Sequence, residues 1–142
     1  MTNYATTATP ATSSVSTPAR IITYRISTFI LGTECIVGGV LALIRWPAYA
    51  RIILHLGYPP YLMTILGVWY ALAGLAVLVP RFPRLKEWAY AGLVFNYTGA
   101  AASHLAAGDG AGALVAPFVF TGFLIASWAL RPPTRRLAGP QR

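Results

Sequence analysis

The stretch His55-Leu-Gly-Tyr-Pro-Pro-Tyr-Leu-Met-Thr-Ile-Leu-Gly-Val-Trp-Tyr-Ala-Leu-Ala-Gly-Leu-Ala-Val-Leu-Val-Pro-Arg-Phe-Pro-Arg-Leu-Lys-Glu-Trp-Ala-Tyr-Ala-Gly92 decides the fold. Tyr61 to Val79 is nineteen residues without a charge. At about 1.5 Å of rise per residue, such a run crosses most of a roughly 30 Å hydrocarbon core. Pro80-Arg-Phe-Pro-Arg-Leu-Lys86 stops it with prolines and clustered cations, the residues of a membrane–water boundary. A second apolar run begins at Trp88, so the stretch predicts a transmembrane hairpin.

Composition agrees. Hydrophobic residues make up 56% of the chain and charged ones 10%, against roughly 25% in soluble domains. The formal net charge of +8 would point to nucleic acid in a soluble protein. Here the cations flank apolar runs and no basic aromatic surface is present, so anionic lipid headgroups are the expected partner and nucleic acid is not. Cys35 is the single cysteine, which excludes an internal disulfide. Cys35, His55 and His104 are scattered without paired-ligand spacing, so no metal site is expected.

Outward from the hairpin, the spacing predicts an all-α integral membrane four-helix bundle. Its spans cover about 22–44, 61–79, 88–107 and 113–130, within a membrane domain over 20–132. Residues 1–19 form a polar Thr/Ala/Ser-rich tail expected to be disordered, and 133–142 a basic tail. Between spans one and two, Pro47 opens a short amphipathic helix. Ile52, Ile53 and Leu56 share one face, with Arg51 and His55 on another, so the helix is expected to lie at the interface. In span three, Gly92, Asn96, Gly99 and Ser103 form a narrow stripe of small and polar groups, expected to pack against other helices. Trp46, Tyr49, Tyr58, Tyr61, Trp88, Tyr90 and Trp128 are expected as aromatic belts. Nine cations fall on the side of the termini and the central loop, and two on the other. The positive-inside rule then places both termini in the cytoplasm of a multi-pass cell-membrane protein.

At mid-depth the four spans bring Glu34, Tyr70 beside Trp69, Asn96 and Thr121 to one level. Polar groups cost free energy in hydrocarbon, so these should face inward and bond to one another. A purely structural layer would set helix register, and a glutamine would do that as well as Glu34. A carboxyl can also move protons. Glu34 is therefore the candidate acid/base, with Tyr70, Asn96, Thr121 and Trp69 as ligand-binding residues. With no cation within reach, Glu34 is expected to be neutral and to donate a hydrogen bond to Asn96. His104 is a candidate relay, or an interfacial histidine in contact with headgroups.

At His55-Leu-Gly-Tyr-Pro, Ile65-Leu-Gly-Val-Trp69, Pro80-Arg-Phe-Pro-Arg-Leu-Lys-Glu-Trp-Ala-Tyr-Ala-Gly92 and Thr98-Gly-Ala-Ala-Ala-Ser-His104, the chain resembles the DoxX-like family of small bacterial membrane proteins. The resemblance runs from about Tyr24 to Pro132. It implies a four-helix membrane bundle and a link to membrane oxidoreductase complexes, and it carries no catalytic residues with it. Relatives often hold lysine at the position of Tyr70 and aspartate at that of Asn96. The neutral pair here is expected to face each other, leaving Glu34 as the lone ionisable group at that depth. The function expected is a buried site for a quinone-like or other lipophilic molecule. The alternative is a non-catalytic accessory subunit of a larger membrane oxidoreductase complex; the expected protein partners are such oxidoreductase subunits or further copies of the chain in a homo-oligomer. No haem, flavin or iron–sulfur motif is visible, so redox electrons would come from a bound cofactor such as a quinone or from a partner.

Overall fold

The structure is a computed structural model, and it describes residues 17–132 and 135. It contains five helices: α1 (Pro18–Leu43), α2 (Pro47–His55), α3 (Tyr61–Leu78), α4 (Pro83–Ala106) and α5 (Ala111–Ala129). No strand occurs among the described residues. Pro18, Pro47 and Pro83 each stand at the start of a helix, where the ring fixes a helical φ and the missing N–H costs nothing. Helices α1 and α4 thus begin a turn earlier than the apolar runs of the expected first and third spans, because the proline and not the hydropathy sets the helix start. The expected tail over 1–19 lies outside the described residues as far as residue 16, and of the basic tail over 133–142 only Arg135 is described.

The four long helices form a ring in the order α1, α3, α4, α5, with α1 also against α5. The α1–α3 contact is the most extensive, and glycine makes it possible. Gly32 and Gly39 on α1 face Gly74 and Gly67 on α3. A methyl group on Gly39 would lie 2.8 Å from both the Gly67 carbonyl oxygen and the Ala71 nitrogen. One on Gly74 would lie 2.8 Å from the Gly32 oxygen. Both pairs repeat at the seven-residue interval that keeps one helix face toward one partner.

On α4 the buried face is not the small-residue stripe. Lys86, Tyr90, Leu93, Tyr97 and Ala101 are buried, while a methyl group on Gly92 or Gly99 would meet nothing within 4 Å. The expected packing of Gly92, Asn96, Gly99 and Ser103 against other helices is therefore corrected: the stripe faces a cavity. Nor do Tyr90 and Tyr49 belong to an aromatic belt. Tyr90 is buried and its hydroxyl pairs with Ser127 Oγ at 2.8 Å. Tyr49 is half-buried and lines the cavity.

The α3–α4 hairpin turns through Phe82, whose φ of 62° is left-handed. Lys86 closes the turn. Its buried Nζ donates to the carbonyls of Ala76, at 2.9 Å, and Val77. These belong to the last turn of α3, where carbonyls lack helical partners and the helix dipole favours a cation. Nearby, Thr28 and Ser127 share a hydrogen bond of 2.7 Å, and Arg131 pairs with Glu87 at 2.7 Å. Helices α1, α3 and α5 are long and apolar enough to cross a membrane. Large apolar side chains point outward, with Phe29 66% and Phe95 77% exposed, a surface suited to hydrocarbon rather than water.

Candidate functional site

Three helices meet at Glu34. Its Oε1 accepts a hydrogen bond from the Tyr70 hydroxyl at 3.0 Å, and its Oε2 accepts one from the Tyr97 hydroxyl at 2.7 Å. The Cys35 thiol lies 3.6 Å from Oε2. The two phenol rings meet edge to face, 6.2 Å apart, and Phe120 of α5 stacks on Tyr97 at 6.0 Å. Gly38 leaves room for Tyr70, since a methyl there would come within 3.0 Å of its ring. Each phenol is thus held by ring packing and spends its hydroxyl on one carboxyl.

This set forms part of the wall of a cavity of about 1040 Å³ that runs along the α3–α4 groove. Phe82 lies toward the hairpin end and Tyr58 and His104 toward the other. Most of the lining is apolar. Tyr49 and Ile53 of α2, and Leu56 just after it, also line the cavity, at the end away from the hairpin. The cavity exists because α4 turns bulky Tyr90, Leu93 and Tyr97 inward and its glycines toward the void.

Glu34, Tyr70, Asn96, Trp69 and His104 all line this cavity. The first two are bonded, but the expected partner of Glu34 is corrected. Tyr97, one residue and about 100° further round α4, holds the carboxyl in place of Asn96. Tyr70 correspondingly faces Glu34 and Tyr97, not Asn96. Asn96 is half-buried and makes no side-chain hydrogen bond among the described residues. Trp69 is largely exposed on the lipid-facing rim. Thr121 does not line the cavity; its hydroxyl donates to the Pro117 carbonyl at 2.7 Å, one turn back.

A second polar cluster sits at the cavity's far end. Asp109, in the α4–α5 turn, takes His55 Nε2 on Oδ1 and His104 Nδ1 on Oδ2, each at 2.7 Å. Hydrogen bonds from His104 and then His55 hold the Asp109 carboxyl below its ordinary range. Tyr58 and Ser103 share a hydrogen bond of 2.7 Å beside it. His104 and His55 therefore contact protein and not only headgroups. The described residues contain no group of three His, Cys, Asp or Glu side chains arranged to hold a metal ion.

Sequence reasoning missed Tyr97 and Asp109. The spacing of Tyr90, Leu93, Tyr97 and Ala101 at three, four and four residues was a signal for the buried face. Nothing in the sequence joins His55 to a residue so far along the chain as Asp109.

An all-helical bundle with outward apolar side chains and a polar set at mid-helix is a membrane protein. The sequence model of the DoxX-like family matches residues 26–127, and the chain belongs to that family. No curated protein and no solved structure matches it.

Proposed function

We propose that this DoxX-like protein crosses the cell membrane four times, with both termini in the cytoplasm, and holds a quinone-like or comparably lipophilic molecule in the α3–α4 cavity. The observation that carries this is Asn96. It is a carboxamide at mid-helix, on a mostly apolar cavity wall, without a side-chain hydrogen bond among the described residues. A polar group in hydrocarbon is costly unless bonded, so a ligand carbonyl or hydroxyl is its natural complement. Glu34 lies on the same cavity, held by Tyr70 and Tyr97, where it can give or take a proton as the ligand changes charge. Trp69 and Phe95 supply the apolar rim through which a lipophile enters from the bilayer. At 24 residues, α4 extends about 36 Å, long enough for the fourth crossing.

The test is mass spectrometry of lipophiles extracted from protein purified in native-lipid nanodiscs. One lipophile should be enriched over bulk membrane in the wild type and reduced in Asn96→Ala and Glu34→Gln. A profile equal to that of the bulk membrane, unchanged in both variants, would end the proposal.

A further inference from the structure

The cluster at the far end joins solvent to the cavity by a continuous run of titratable groups. The His55 side chain is 56% exposed, that of Asp109 20% and that of His104 15%. The run thus starts in water and ends on a residue of the cavity wall. Each link is a hydrogen bond of 2.7 Å. His104 lies seven residues beyond Tyr97 on α4, which puts it on nearly the same helix face, about 10 Å along the axis. Helix α2 spans both ends of the gap. Its His55 holds Asp109, while its Tyr49 faces the cavity, where burial holds the phenol above its ordinary range. From these placements we infer that His55, Asp109 and His104 form a proton inlet to the cavity, connecting Glu34 with the aqueous phase at the end of the bundle away from the termini.

The transfer balances at each link. A proton from water joins the solvent-facing ring nitrogen of His55 as Nε2–H passes its proton to Asp109 Oδ1. The relay runs through the form in which Asp109 is protonated on Oδ2 and His104 carries its hydrogen on Nε2: as Oδ1 takes the proton from His55, the Oδ2 proton passes to His104 Nδ1, and His104 releases its Nε2 proton into water in the cavity. One proton enters, one leaves, and every group keeps its charge. Asp109 is faced by His55 from α2 and His104 from α4, and α5 carries no titratable side chain. Glu34 is faced by Tyr70 from α3, Tyr97 from α4, Tyr49 from α2 and its neighbour Cys35.

The inference rests on the proposed acid–base role of Glu34, and the experiment separates the two. Full-length protein is reconstituted in one orientation in phosphatidylcholine vesicles. The pH is then jumped on one side while the Glu34 carboxyl band, assigned with Glu34→Gln, is followed by time-resolved infrared spectroscopy. In the wild type, a jump on the side of the Gly108–Gly112 turn should move the band faster than one on the side of the termini. Asp109→Asn and His104→Gln should each slow that response by about tenfold or more, and Asp109→Glu should restore part of it. A faster response from the side of the termini overturns the inlet without any variant. So does a wild-type rate in Asp109→Asn, with the acid–base role of Glu34 left standing. A band that responds to neither side overturns both.

Discussion

Gly39→Ala and Gly92→Ala are the same substitution on two helices, and the structure assigns them opposite signs. At Gly39 the new methyl lies 2.8 Å from Gly67 O and Ala71 N and 3.0 Å from the Ala71 methyl. Ordinary van der Waals contact begins at 3.4 Å, and two of these neighbours are backbone, so α1 and α3 must separate as whole helices. Overpacking of this kind costs about 1–3 kcal/mol. The better helix propensity of alanine returns up to about 1 kcal/mol, leaving a net loss of up to about 2 kcal/mol. At Gly92 nothing lies within 4 Å, so only the propensity gain remains, about 0.5–1 kcal/mol. The assay is reversible unfolding of both variants in mixed micelles with the wild type as reference. Gly39→Ala should unfold first and Gly92→Ala last. A Gly39→Ala protein as stable as the wild type would refute the close α1–α3 packing. A loss at Gly92 equal to that at Gly39 would mean that the α4 stripe packs against a helix after all.

Tyr97→Phe removes one of the two phenol donors to Glu34 and should lower the unfolding free energy by about 0.6–1.7 kcal/mol in the same assay, the range for hydrogen bonds within membrane bundles. Asn96→Ala, which breaks no side-chain hydrogen bond among the described residues, should cost less than about 0.6 kcal/mol; a larger loss would show that Asn96 is a structural partner. Because the Asp109 carboxyl is held below its ordinary range, its hold on α2 is intact above about pH 4 and is lost as the pH falls through the lowered value. Hydrogen exchange of the α2 amides should therefore rise between pH 4 and pH 2 after correction for intrinsic rates, and in Asp109→Asn it should be raised already at neutral pH. A reporter fused after Arg142 should read cytoplasmic and one inserted at Gly108–Gly112 external. The reverse in both would move the histidine cluster to the inner face.

The fold was legible because its signals are local. Apolar length, prolines at helix starts and cations at the boundaries place each long helix to within about a turn, as with Tyr61–Leu78 for α3. The candidate site was only half legible. Glu34 and Tyr70 stand out as polar groups in apolar runs. The choice between Asn96 and Tyr97 depends on a rotation of about 100°, which composition does not report. The more polar side chain drew attention, yet it is the phenol that turns inward, because its large ring is what the bundle interior accommodates. In the sequence Asp109 is one loop charge among few. Its role depends on α2 folding back over the cavity, a tertiary fact without a sequence period.

Glycine has opposite consequences on the two sides of this bundle, and the difference explains why a cavity exists. In lipid there is no hydrophobic force to drive helices together, so packing depends on how closely the backbones approach. Gly32, Gly39, Gly67 and Gly74 face one another at heptad spacing, and α1 and α3 close to backbone contact. On α4 the bundle-facing positions carry Tyr90, Leu93 and Tyr97, which set α4 at a distance, while Gly92 and Gly99 point into the gap so created. A side chain at either of those glycines would begin to fill it. The tight α1–α3 pair gives the site a rigid wall that carries Glu34 and Tyr70. The bulky face of α4 brings Tyr97 to the same carboxyl and leaves Asn96 on the open side. The hydrogen-bonded set and the void beside it thus follow from one choice, which face of α4 is large.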